Sequence, residues 1–288
     1  MTTRWPIAAS TFIWHSPLTT QILEARLPQL ADWGFDAVEL PLDQVGDWDV
    51  ERIGALMAEL GLRSVVCTVF SPERELAAAP ADTQASTLDY VRSAIDVAAA
   101  QGSGLVIGPT YCSVGRAWRL DADDRRRLNG ELRDNYLWLI DHAGPLGVKL
   151  AIEPLNRYET SVFNTTEQVL DVIGDLDPDV IGLGLDTYHM NIEERTFAGA
   201  LRLAGDRLLH LQVCGTDRGA PGGDHTPWDE VFTTLREIGY AGMLGIESFT
   251  AENESMAKAA SIWRPLAASQ DELAVEGLAF LQQSTGTD

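Results

Sequence analysis

Short apolar runs alternate with longer stretches whose apolar residues recur every three or four positions, almost from one end of the chain to the other. The runs 7–14, 37–40, 64–69, 104–107, 149–153, 181–186, 208–213 and 243–247 have the length and β-branched content of buried strands. Between them, 20–33, 50–60, 88–100, 123–143, 166–173 and 228–238 carry the spacing of amphipathic helices. Gly34, Gly61, Gly102, Gly147 and Gly239 each follow a helical stretch and precede a strand. That is the C-cap place, where a left-handed backbone costs glycine little. Repeated strand-then-helix units imply parallel strands covered on both faces, and eight strands favour a closed (β/α)8 barrel over an open sheet. Residues 251–281 predict additional C-terminal helix, and the absence of a linker or low-complexity block predicts a single domain over residues 1–288.

Composition narrows the choice of partners. A formal net charge of -22 offers no basic stripe, which excludes nucleic acid and an anionic membrane surface as expected partners. Cys67, Cys112 and Cys214 are odd in number and have no CxxC spacing, so no disulfide framework is expected. The start lacks a long apolar segment, and no run of 18 apolar residues follows, which reads as cytoplasmic. The lysines, Lys149 and Lys258, stand at a strand start and in the tail. Neither suits Schiff-base chemistry, which needs a lysine at the reacting centre.

Candidate chemistry collects where the last four strands end. These ends carry Glu153, Asp186, Gln212 and Glu247, on the barrel face where active sites of such folds are built. One buried acid can be explained by a helix cap or an arginine partner. Four convergent oxygen donors repel one another unless a cation joins them.

The segments 152–160 (IEPLNRYET), 184–194 (GLDTYHMNIEE), 217–222 (DRGAPG) and 246–249 (IESF) resemble the ketose 3-epimerases, the D-tagatose and D-allulose 3-epimerase group of the xylose-isomerase-like TIM-barrel superfamily. The resemblance covers most of the chain, including the tail Ile262-Trp263-Arg264, and is looser over the first three strands. It implies that Glu153, Asp186, Glu247 and the residue at 212 bind a metal, and that Glu153 and Glu247 double as the acid/base pair. It further implies that His189, Arg218 and Glu159 contact a small, sugar-like substrate, and that the chain works as a homo-oligomer. Such a metal acidifies the C–H beside a carbonyl and stabilises the enediolate that follows. Two carboxylates can then remove a proton from one side and return one to the other.

The chain departs from the epimerase pattern at Gln212, where those enzymes carry a metal-binding histidine, and beside it at Gly215 and Asp217. An all-oxygen set suits Mn2+ or Mg2+ better than Zn2+ or Cu2+. Glutamine here is shared with some 3-dehydroshikimate dehydratases of the superfamily, so three outcomes stay open. They are epimerisation at C3 of an unphosphorylated ketose, elimination by a lyase, and non-catalytic sugar binding or service as a partner subunit. The lyase could act on a keto-polyol or a 3-oxo-C-glycoside, and the latter would imply a small partner subunit.

Of the other histidines, His210 is expected to support the site from deeper in the barrel, while His225 and His15 are candidates for the mouth and His142 for a solvated helix face. The aromatics Trp14, Phe70, Tyr111, Trp118, Tyr158 and Phe249 are candidates for a sugar-stacking wall, with Trp14, Tyr111 and Trp118 taken as substrate contacts.

Overall fold

The computed structural model describes residues 4–286. Eight parallel strands close into a barrel in sequence order. They are β1 (Ile7–Ser10), β2 (Ala37–Leu42), β3 (Arg63–Thr68), β4 (Leu105–Gly108), β5 (Lys149–Ile152), β6 (Ile181–Asp186), β7 (Leu208–Val213) and β8 (Leu244–Ile246), with β8 pairing back onto β1. The outer layer begins with α1 (Thr20–Trp33), α2 (Val50–Leu60), α3 (Ala81–Ala100), α4 (Ala122–Ala143) and α5 (Thr166–Ile173). It continues with α6 (Thr187–Glu193), α7 (Phe197–Ala204), α8 (Trp228–Glu237), α9 (Glu254–Ala259) and α10 (Gln270–Thr285).

Local chemistry sets these boundaries. Thr19, Asp49, Asp121, Thr165, Thr196 and Ser269 each accept a backbone N–H in the first turn of a helix, satisfying donors that have no partner within the helix. All five glycines read as helix stops take positive φ. Strand β1 ends earlier than its apolar run, because the Thr11 carbonyl accepts the N–H groups of Trp14 and His15 and folds Thr11–Ile13 into a 3-10 turn. Residues 251–281 are not one helix. Ser261 takes a positive φ, Pro265 follows, and α10 restarts at the Ser269 cap with Glu272 three residues on. The helices α6 and α7 between β6 and β7 were not predicted.

No described helix is long and apolar enough to cross a membrane. Cys67, Cys112 and Cys214 are all free and buried.

Candidate active site

A cavity of about 610 Å³ opens at the C-terminal ends of the strands. Glu153, Gln212 and Glu247 line it together with Glu159, His189 and Arg218, so the structure brings most of the expected site residues to one place. Asp186 lies buried behind them, at the junction of β6 and α6.

Each polar side chain has a local reason for its position. Pro154 follows Glu153, and the chain then turns: Asn156 Oδ1 accepts the Tyr158 N–H at 2.9 Å and the Asn156 carbonyl accepts from Glu159 and Thr160. This Asx turn aims Glu159 back toward the mouth, where Asn156 Nδ2 donates to Glu159 Oε1 at 2.7 Å. Past β7, the Gly215 N–H bonds the Gly219 carbonyl at 2.8 Å, and Arg218 sits within that loop in the left-handed region, at φ 69°. Its guanidinium is buried, lies over the Tyr188 and Phe249 rings at 4.3 and 4.8 Å, and pairs with Asp186 and with Glu247 Oε2, the latter at 3.1 Å.

The loop also accounts for two of the departures noted in the sequence. A Cβ added at Gly215 would lie 3.0 Å from the Ala220 carbonyl and 3.2 Å from Asp217 Oδ1, tight enough that the loop would have to give by a few tenths of an ångström. Asp217 fills that space, accepts the Gly219 N–H and pairs with Arg264 of the tail at 2.8 Å.

Three acids against one guanidinium leave the site rich in negative charge. Burial, then the neighbouring Asp186, push Glu153 well above the ordinary carboxylate range. Burial likewise raises Glu247, against the pull of Arg218. Burial would raise Asp186 too, but Arg218, the His189 ring and the Tyr188 N–H bring it below its usual value. His189 is lowered by burial and by Arg218.

Glu153, Asp186 and His189 place potential ligand atoms within 4.8 Å of one another, a grouping able to hold a divalent ion. Nδ1 of His189 accepts the Asn156 backbone N–H at 3.1 Å, and a backbone amide can only donate. Nε2 meets the Arg218 guanidinium at 3.1 Å, another group that can only donate, and lies 3.7 Å from Glu153 Oε1 and 3.9 Å from Asp186 Oδ2. The guanidinium on Nε2 stands where a cation bound to that nitrogen would have to sit, so His189 is a poor ligand while Arg218 holds this place. Elsewhere in the same wall, Glu247 pairs with Arg218, and Gln212 has its Oε1 buried with no hydrogen-bond partner among the described residues.

The aromatic wall is smaller than expected. Phe70, Tyr158 and Phe249 line the cavity, whereas Trp14, Tyr111 and Trp118 do not. Trp14 is drawn under the tail, where Nε1 donates to Asp271 at 2.7 Å and the ring packs on Trp33 and Arg26. Tyr111 is fully buried behind the site, its hydroxyl donating to the Glu153 carbonyl at 2.8 Å and its ring edge-on to Phe163. Trp118 lies under Arg116 at 4.3 Å. His15 lines a separate small pocket, His225 sits near Thr216 Oγ1, and His142 pairs with Asp96 at 2.7 Å. Two residues had not been singled out: Asn156, which joins Glu159 to His189, and Glu39, a fully buried acid within β2. The sequence signal for Glu39 was available, since an acid inside the apolar run 37–42 requires a partner.

A family model described as xylose isomerase-like TIM barrel matches residues 27–283. A protein of Synechocystis sp. named probable ketose 3-epimerase is 30% identical over 278 residues, 96% of either chain. The solved structure of an L-ribulose 3-epimerase superposes with a TM-score of 0.89 at 28% identity, covering 98% of this chain and 95% of that one. A D-allulose 3-epimerase from Methylomonas sp., solved in complex with D-allulose, gives 0.86 at 27% identity, covering 98% and 97%.

Proposed function

The chain belongs to the xylose isomerase-like TIM-barrel family, and on that premise we propose that it is a sugar epimerase that inverts C3 of an unphosphorylated ketose. The observation that carries this reading is the pair Glu153 and Glu247. Both are buried in the cavity wall, both hold protons more tightly than an ordinary carboxylate, and they enter from strands three places apart around the barrel. A group poised nearer neutrality can take a proton from carbon on one side while its counterpart returns one from another.

A divalent cation fits the site on two grounds. Three acids exceed the one guanidinium beside them, and the Gln212 Oε1 atom is an unsatisfied oxygen donor in the same wall. Glu153, Asp186, Gln212 and Glu247 would hold it, and their oxygens favour Mn2+ or Mg2+. When bound, such an ion polarises a carbonyl and the adjacent hydroxyl and so acidifies the C–H between them. The protein does the rest. His189 and Arg218, hydrogen-bonded to each other, face the substrate's oxygens, Glu159 accepts from a hydroxyl, and Arg218 balances the anionic charge that develops near Asp186 and Glu247. Phe70, Tyr158 and Phe249 supply apolar surface against the sugar's C–H faces.

Proton exchange tests this reading. With Mn2+-loaded protein and a panel of free ketoses in D2O, deuterium should wash into C3 and the C3 epimer should accumulate. Exchange into no ketose of the panel, or release of an unsaturated product instead, would replace the epimerase reading with inert binding or with elimination respectively.

A further inference from the structure

Below the cavity floor, Glu39 of β2 is fully buried and accepts two hydrogen bonds from β7 on the far side of the barrel. His210 Nε2 lies 2.6 Å from Glu39 Oε1, and Gln212 Nε2 donates to Glu39 Oε2 at 3.1 Å. His210 and Gln212 are two residues apart, so their side chains project to the same face of the strand. The third wall of this nest is Gly245 of β8. A Cβ there would collide with Glu39 Oε1 and stand 2.9 Å from His210 Nε2. The absence of a side chain at 245 is what lets a carboxylate occupy the barrel axis.

A glutamine amide can point either its oxygen or its nitrogen at a neighbour. A carboxylate removes that freedom, because it accepts and does not donate. With Nε2 committed to Glu39, Oε1 is left facing the other way, and this is the atom that has no partner among the described residues. We propose that Glu39 is a positioning residue that locks the Gln212 amide with its oxygen toward the cavity, making an all-oxygen cation site out of a residue that could otherwise present N–H groups to the ion. This inference rests on the metal-site reading above. It explains how a glutamine can stand at this strand position without placing donor hydrogens beside three carboxylates.

The test is Mn2+ affinity, read by electron paramagnetic resonance of free ion, in a two-by-two set of variants. Glu39→Gln keeps the shape but can itself donate, so it permits the amide to turn. It should weaken Mn2+ binding about tenfold or more, in the range seen when groups supporting a metal ligand are changed. In the Gln212→Ala background the same substitution should change affinity by less than about twofold, since there is no amide left to orient. Equal affinity of wild type and Glu39→Gln, or an equal loss in both backgrounds, overturns the proposal, the latter by showing that Glu39 acts only through the fold. A wild-type chain that binds Mn2+ but exchanges no ketose proton sinks the epimerase reading and leaves this one standing; a wild-type chain that binds no Mn2+ overturns the metal site and this inference with it. A measurement on unaltered protein covers the case where Glu39→Gln does not fold. The Gln212 side-chain amide resonances, assigned by their loss in Gln212→Ala, should be protected from exchange, with one proton shifted downfield, before and after Mg2+ addition. Fast exchange would overturn the lock.

Discussion

Around the mouth from β5 to β8, the strands end on Glu153, Asp186, Gln212 and Glu247; from β1 to β4 the corresponding places hold Thr11, Leu42, Val69 with Phe70, and Pro109. The backbone plan is the same in both halves, with parallel strands, covering helices and glycine stops. The chemistry is not. The later half brings the charges, and the earlier half brings apolar wall from Phe12, Val69 and Phe70, with one acid, Glu39, sunk to the floor. A barrel divided this way keeps carboxylates close enough to perturb one another while the opposite wall excludes water. Exclusion of water is part of what raises Glu153 and Glu247.

The comparison breaks first if the acids are dispensable. Glu247→Gln should lower turnover at least about a thousandfold, near the upper range for loss of a general acid or base, with melting temperature and near-ultraviolet circular dichroism close to wild type. A variant that keeps most of its kcat would remove Glu247 from proton transfer and leave the later half without its distinction. The expected contrast in the earlier half is Phe70→Leu. Phe70 lines the cavity and meets the Tyr90 ring edge-on at 6.2 Å, so leucine keeps much of the packing. Steady-state kinetics should show KM raised about two- to fivefold and kcat within a factor of about two, the signature of uniform binding lost without transition-state stabilisation. A kcat loss larger than about tenfold would mean that this wall shapes the reaction as well as the binding.

The difference between the halves also explains what could be read without coordinates. Acids at the ends of apolar strands are conspicuous, because each must find a partner, and Glu153, Asp186 and Glu247 were legible for that reason. The modest reading of such acids holds for Asp186, which both caps α6 through the Tyr188 N–H and pairs with Arg218. Aromatics carry no such constraint. Trp14, Tyr111 and Trp118 follow strands just as Phe70 and Phe249 do, and only tertiary packing decides which rings face the mouth and which wedge under a helix or the tail. Glu39 escaped notice because its strand matched the family only loosely. The helix α6 escaped because it starts directly on the last residue of β6, with Asp186 serving as both strand end and cap, while α7 is as long as α5, which the pattern did reveal.

The smallest predicted effect concerns how the apolar wall is held. Tyr90 of α3 donates its hydroxyl to the Leu42 carbonyl at 2.5 Å and accepts the Val69 N–H at 2.8 Å, tying the ends of β2 and β3 together directly behind Phe70. Burial pushes its phenol up to about 12, from an ordinary value near 10. Below pH 10 both the folded and the unfolded chain keep this proton, and the contribution to stability is fully present. As pH rises through the unfolded value the unfolded chain ionises first, so stability falls, and the loss is complete only once the folded value of about 12 is passed. Linkage over that interval amounts to roughly 0.8 kcal/mol at pH 10.5. Tyr111, Tyr136 and Tyr240 are displaced in the same direction by burial, so the wild-type slope alone cannot be credited to one ring. The slope of Tyr90→Phe can. Urea unfolding of both proteins between pH 9 and 11 should show the variant less stable at pH 9, where the Val69 N–H loses its acceptor, but declining less steeply, with the gap between them narrowing by about 0.8 kcal/mol at pH 10.5. Parallel slopes would mean that this hydroxyl titrates as though exposed, and that the earlier half of the mouth is held by packing alone.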